Sequence, residues 1–278
     1  MSHSKKFSSL CGWIWTQPRV KIRDARGSSL DDLPDMLAES CIVKISGEDE
    51  DRCVEILGNA GASVLEQYEA VRAGLADTGA IETVAKASAQ AGDTSAVLAK
   101  ETEFHQDGYQ FQREYRGHVI AGVGNMPDIE LLCFPKVVEG RFLVFSDLCR
   151  ATRKFMRAHE SSQIDHLCQA CYSIDSRYAD ADPNLDTPHD LPLLFKDSLG
   201  WRFHLGGSMS SADPLAGFSL SLFRAYVAST VITERLESGS LYVVNQRRIA
   251  HRGIRVPGVD GKTVLRRVLL GFPKAVSA

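Results

Sequence analysis

The sequence predicts one α+β domain built on a β-sandwich or barrel core with flanking helices. Three observations carry this. From Phe104 onward, short apolar runs recur between turn residues, as strands do. The strands concentrate in the second half of the chain, and segments with helical spacing come before and among them. The 278 residues are enough for one large core with insertions.

Residues 17–45 read as a short strand, a polar turn with Asp31 and Asp32, a helix from about Leu30 to Glu39, and a strand Cys41–Ser46. Pro34 falls in the first turn of that helix, where its missing N–H does no harm. A second helix runs from Asp49 to Gly58. Tyr68 to Thr102 is rich in small residues and punctuated by Gly74, Gly79 and Gly92, a weak helix or a loop. Lying just before Phe104, this stretch (about 70–103) is a candidate lid. Val119–Val123, Ile129–Phe134 and Phe142–Phe145 are predicted strands, Asp147–Ala170 is helical, and 173–200 is a loop with Pro183, Pro188, Pro192 and Gly200. Trp201–Leu205 is a strand, Phe218–Glu237 a helix, and Leu241–Val244, Arg247–His251 and Thr263–Phe272 are closing strands. About 1–60 is thus an N-terminal α/β flank and about 104–272 the core.

Thirty-five acids against 32 bases give a net charge of −3, without a field that would favour nucleic acid or an anionic membrane. No apolar run approaches the roughly 18 residues that cross a bilayer, and Met-Ser-His-Ser-Lys-Lys has no signal-peptide core; a cytoplasmic protein is expected. Seven scattered cysteines do not form a secreted disulfide framework. Cys168-Gln-Ala-Cys171 has no second pair to complete a zinc site, and reads as buried thiols on a helix with Ile164 and Leu167.

The chemistry concentrates in Glu-Phe-His-Gln-Asp-Gly (103–108) and Gln-Arg-Arg-Ile-Ala-His-Arg-Gly (246–253). On a strand, residues i and i+2 share a face, so His105 and Asp107 reach one point together. His251 from a distant strand adds a second imidazole. Two imidazoles and a carboxylate on one face of a metal leave three positions open, the arrangement of non-haem Fe(II) oxygenases. His118 and His204 read as packed or surface histidines and His189 as solvated; Trp13 and Trp15 read as core or interface residues. The arginines at 247, 248, 252 and 255 are too local for a nucleic-acid footprint.

The order of features around these segments resembles the taurine dioxygenase and clavaminate synthase-like Fe(II)/2-oxoglutarate oxygenases. It comprises Phe-His-Gln-Asp-Gly, Met126-Pro-Asp-Ile-Glu-Leu-Leu-Cys-Phe-Pro135, Val138-Glu-Gly-Arg-Phe-Leu-Val-Phe-Ser-Asp147, then 236–253 and Leu265-Arg-Arg-Val-Leu-Leu270, so it covers roughly 100–150 and 236–272. The resemblance implies a double-stranded β-helix (jelly roll), iron held by His105, Asp107 and His251, and 2-oxoglutarate as co-substrate with its far carboxylate on Arg267 or Arg266. Those neighbours face opposite ways on a strand, and the Leu-x-Arg form favours Arg267. It implies O₂-dependent hydroxylation, desaturation or cyclisation at an unactivated C–H bond of a small amino-acid-like or natural-product substrate, as in secondary metabolism. Three departures stand out: Arg141 replaces the second glycine of Glu-Gly-Gly-x-Thr, Leu143 replaces its threonine, and Gly271 stands where some relatives carry a second arginine. The alternatives are a non-catalytic jelly-roll binding protein and a metal-dependent hydrolase of cupin-like architecture.

Overall fold

The computed structural model describes residues 3–72, 103–107, 126–174, 191–206, 209–255 and 263–273. A first helix, α1 (His3–Thr16), leads into β1 (Lys21–Asp24), α2 (Leu33–Ser40), β2 (Cys41–Ser46), α3 (Glu50–Asn59) and β3 (Ser63–Arg72). Then come β4 (Ile129–Lys136), β5 (Arg141–Asp147), α4 (Leu148–Ala158), α5 (Ser161–Cys168) and β6 (Tyr172–Ile174). The chain continues as β7 (Leu194–Asp197), β8 (Gly200–Phe203), β9 (Met209–Ser211), α6 (Pro214–Ala228) and β10 (Val231–Arg235), and closes with β11 (Ser240–Asn245), β12 (Ile249–Arg255) and β13 (Thr263–Gly271).

Two sheets carry the architecture. A six-stranded sheet runs β1-β2-β11-β4-β13-β3, and a three-stranded sheet runs β10-β5-β12. All their pairings are antiparallel except β1 with β2. Side chains alternate between faces, which sorts them into layers. Ile42, Leu132, Phe134, Tyr242, Val244 and Leu265 of the large sheet meet Leu143, Phe145 and Ile249 of the small one. The opposite face of the large sheet, with Val43, Leu131, Leu241 and Val268, is covered by Leu33, Met36 and Leu37 of α2 and Cys53 and Leu57 of α3. Beyond the small sheet, Val144 and Ala250 pack into a third cluster with Leu148 and Phe155 of α4, Leu220 and Phe223 of α6, and Ile14 of α1.

Several elements differ from the sequence expectation, each because tertiary pairing or capping overrides local pattern. The helix predicted to Glu237 ends at Ala228, and Val231–Arg235 is the edge strand β10 paired with β5. The Ser229–Thr230 turn is held by Thr230 Oγ1 bonded to Val227 O and Ser146 Oγ, which stops the helix. The predicted 147–170 helix is two: α4 starts on an Asp147 side-chain cap to Arg150 N and breaks at His159–Glu160. Cys168 closes α5 and Cys171 lies beyond it, so the two thiols are half-buried and outside any disulfide rather than buried on one helix. The strand β3 reaches Arg72 because β13 pairs with it, where Tyr68 onward reads as a helix or loop. The hairpin β7–β8 occupies part of the predicted 173–200 loop. Val119–Val123, His118, His189 and all but the ends of the candidate lid lie outside the described residues.

Candidate metal centre

The short piece 103–107 is attached to β12 by a reciprocal main-chain bridge. His105 N donates to His251 O at 3.1 Å, and His251 N to His105 O at 2.9 Å. The intervening Gln106 is fully buried and turned the other way. Its N–H donates to Leu205 O at 2.8 Å, its Oε1 accepts from Leu205 N at 3.0 Å, and its Nε2 donates to Gln246 O. Period-two alternation therefore does what the triplet requires: Gln106 clamps the backbone while His105 and Asp107 share the opposite face.

His251 sits on β12 two residues after inward-facing Ile249, hence in the gap between the sheets. One ligand atom each from His105, Asp107 and His251 lies within 4.8 Å of the others. The imidazole centroids are 4.9 Å apart; Asp107 Oδ2 is 3.3 Å from His251 Nε2, and Asp107 Oδ1 is 3.8 Å from His105 Nε2. Asp107 and His251 are buried, whereas 28% of the His105 side chain is exposed toward the cleft.

Two further side chains enter from neighbouring strands. Arg267 of β13 is buried on the same face as Leu265, with Nη1 2.9 Å from Asp107 Oδ1 and Nε 2.9 Å from Glu130 Oε1. Arg266 points the other way, 2.9 Å from Glu50 Oε2 and donating to Cys133 Sγ at 3.5 Å. The strand thus resolves the pair: Arg267 reaches the cluster and Arg266 does not. Glu130, fully buried on β4, also lies 3.4 Å from His251 Nδ1 and accepts from Gln246 Nε2. Sequence reasoning passed over Glu130. Its signal is one acid in Ile-Glu-Leu-Leu-Cys-Phe, two residues from inward-facing Leu132.

Electrostatics follow from the count. Asp107 and Glu130 bring two carboxyl groups and Arg267 one guanidinium. Burial lowers the His105 pKa to about 4, although nearby Asp107 works against it. Burial alone would raise Asp107; Arg267, then His251 and His105, outweigh it and hold that carboxyl well below the usual range. Burial and then Asp107 push Glu130 well above it, against the pull of Arg267. Asp107 Oδ2 is buried without an aligned hydrogen bond among the described residues. A buried site with an unsatisfied carboxylate oxygen and two imidazoles converging on it fits a divalent cation.

The cluster opens on a cleft walled by Leu132, Phe134, Phe142, Leu143 and Leu236, with Arg141 and Thr263 among its polar lining. The remaining candidates take structural places. His204 is fully buried, and Trp13 packs on Phe203 with centroids 6.0 Å apart. Trp15, by contrast, is 44% exposed, under the Arg157 guanidinium. Arg247 pairs with Asp128 and Asp197, and Arg248 donates to Cys41 Sγ and Pro18 O.

No protein-family model and no curated protein sequence matches the chain. Solved structures do. A putative alpha-ketoglutarate-dependent 2,4-D dioxygenase from Burkholderia xenovorans superposes with a TM-score of 0.59 at 12% identity, over 92% of this chain and 94% of that one. PvcB, an Fe, alpha-ketoglutarate-dependent oxygenase from an isonitrile synthetic pathway, gives 0.56 at 13% identity, over 91% and 86%. The chain shares their fold. An asparagine oxygenase solved with Fe(II), hydroxyasparagine and succinate gives 0.45 at 18% identity; the match covers 60% of this chain and 49% of that protein, about half its length. Among the described residues, no helix is long and apolar enough to cross a membrane.

Proposed function

We propose that this chain is an Fe(II)- and 2-oxoglutarate-dependent oxygenase acting on an unactivated C–H bond of a small amino-acid-like or natural-product substrate. The observation that carries this reading is the meeting of His105, Asp107 and His251 around a buried, unsatisfied carboxylate oxygen at the end of a cleft. We further infer that the two facing sheets are the halves of a double-stranded β-helix. Seven cysteines outside any disulfide suit a reducing cytoplasm.

When bound, iron supplies the oxidative decarboxylation of 2-oxoglutarate and the O₂-derived oxidant; the protein supplies geometry and dryness. His105, Asp107 and His251 would hold the metal on one face. Arg267 would bind the far carboxylate of the co-substrate by charge-assisted hydrogen bonds. Its Nη1 lies on Asp107, so that role needs an exchange of partners: once Asp107 is committed to a cation, Nη1 is released toward the cleft. The hydroxyl missing at Leu143 has a replacement in Thr263, which lines the same cleft. The apolar walls exclude water and receive the carbon skeleton of a substrate.

The test is anaerobic addition of Fe(II) and 2-oxoglutarate, which should give a visible charge-transfer band in the wild type and none in His251→Ala. Substrate-dependent or slow uncoupled formation of succinate then separates an oxygenase from a hydrolase using the same three ligands. A band that persists unchanged in His251→Ala removes this assignment.

A further inference from the structure

We propose that Arg141 is a specificity-determining residue of the cleft: its guanidinium receives a carboxylate of the primary substrate, and so selects a small anion with an apolar body. This rests on the oxygenase reading above and names the substrate class which that reading leaves open.

The strand places the side chain. Arg141, Leu143 and Phe145 are alternate residues of β5, and Leu143 and Phe145 pack between the two sheets. Period two puts Arg141 on the same face, and it lines the cleft. Gly140, at φ +76°, closes the turn before β5 and fixes where the strand begins. The main chain of Arg141 is then held from both sides: its carbonyl accepts from Leu236 N at 3.0 Å, and its partner on β12 is Arg255. The residue as a whole is half-buried, yet its Nε and Nη2 atoms are buried. The guanidinium thus lies into the protein rather than out in water, where its attraction for an anion is stronger.

Register gives the span. On β12, His251 stands opposite Phe145, Gly253 opposite Leu143 and Arg255 opposite Arg141. Arg141 is therefore four residues along from the level of the metal donors, about 13 Å at the rise of a strand. The arginine's own length covers part of that span, which leaves room for a ligand of a few carbons. At the level between, Leu143 supplies an apolar wall, with Leu132 and Phe134 across the gap on the large sheet. Gly253 keeps that level open: a Cβ there would meet no described atom within 4 Å. The two guanidiniums of the cleft divide by sheet, Arg267 on β13 of the large one and Arg141 on β5 of the small one. Arg267 serves the co-substrate tail and Arg141 the acid group of the substrate. A planar guanidinium gives a carboxylate two parallel charge-assisted hydrogen bonds, whereas a neutral amide offers it one acceptor and a clashing donor.

Hexanoate and hexanamide share a body and differ in the head. Each is titrated into protein carrying Zn(II) and saturating 2-oxoglutarate, with the Nε–H resonance of Arg141, assigned through its own backbone, as the readout. Hexanoate should move that resonance saturably and bind about tenfold or more tightly than hexanamide, as a charge-assisted pair requires. Arg141→Gln should erase the preference and Arg141→Lys retain part of it. Gly253→Leu, which fills the space beside Leu143, should weaken both ligands alike. The charge-transfer band with Fe(II) and 2-oxoglutarate should keep its half-saturation in Arg141→Gln. An Arg141 resonance unmoved by hexanoate overturns the proposal. So does an Arg141→Gln protein that loses 2-oxoglutarate and keeps the hexanoate preference, which would give this arginine to the co-substrate. The wild-type resonance decides the matter even where the variants fail to fold. Absence of the charge-transfer band in the wild type would sink the oxygenase reading instead, and the same pair of ligands titrated into metal-free protein still decides what Arg141 binds.

Discussion

Arg267 stands between two buried carboxylates, 2.9 Å from each, so its removal has two separable effects. Truncation strands Asp107 beside Glu130, which should cost about 3–5 kcal/mol of stability. In the proposed enzyme it also removes the anchor for the co-substrate tail. Arg267→Ala should therefore raise the KM for 2-oxoglutarate at least tens-fold and lower the urea midpoint, whereas Arg266→Ala, whose guanidinium lies against Glu50, should leave KM near the wild-type value. The reverse ranking in steady-state kinetics would put the wrong arginine in the cleft. His204 gives a second residue-scale test. Burial, then the Arg202 cation, lowers its pKa to about 3. The unfolded chain, titrating near 6.5, takes up a proton that the folded protein refuses, so stability is fully present above pH 6.5 and falls as pH drops toward 3. At pH 5.5 this amounts to about 1.4 kcal/mol. Between pH 7.5 and 5.5, His204→Gln should lose less stability than the wild type; parallel unfolding curves would refute it. At this scale the sequence is informative where chemistry and spacing coincide. His105 and Asp107 share a face by alternation alone, and the same rule separates Arg267 from Arg266. Glu130 escaped because its importance lies in who surrounds it, and those neighbours come from residues 246, 251 and 267.

The start of β4, the β7–β8 hairpin and the turn before β12 are tied by four charges. Asp128 Oδ1 is 3.0 Å from Arg202 Nη1 and 2.8 Å from Arg247 Nη1, while Asp197 Oδ1 is 2.7 Å from Arg247 Nη2. Arg202 is fully buried and also donates to Met126 O and Pro127 O. Replacing it with Met takes one cation from Asp128 and a donor from each of two carbonyls. A loss of about 3–5 kcal/mol is expected in urea denaturation, against a smaller loss for Asp197→Asn at the rim of the network; equal small losses would show that Arg247 alone carries it. Elements were legible in sequence where they are apolar on both faces: β4, β5, β11 and β13 lie close to their expected positions. Elements stabilised from outside were not. In β10 the burial pattern alternates between exposed and half-buried, so nothing local distinguishes it from the end of a helix. The helix α1 contains Ser8, Ser9 and Gly12 and is anchored by Leu10 and Ile14, one turn apart, against a partner far along the chain.

Across the whole molecule, the N-terminal strands are built into the large sheet. Residues 41–46 lie between β1 and β11, and residues 63–72 pair with β13 at the other edge. Deleting residues 1–62 would uncover the β11 edge and one complete apolar face, with Leu131, Leu241, Val268 and Leu270 losing their helical cover. The truncated chain should show no cooperative thermal transition and should aggregate; a sharp transition would mean that the remaining strands suffice. Pairings such as Ile45 with Leu241 span most of the sequence, so the search for them is entropically expensive, and folding should be slow for a protein of this size.

The reciprocal main-chain bridge between His105 and His251 has a thermodynamic signature. Because these two donors already share a rung and Gln106 pins the segment behind them, an entering ion orders almost no chain at the donor set and transfers little apolar surface out of water. Calorimetry of Co(II) or Fe(II) association across temperature would then give a heat-capacity change near zero, unlike small domains that fold around their metal. A chelator would strip the ion and leave the fold standing.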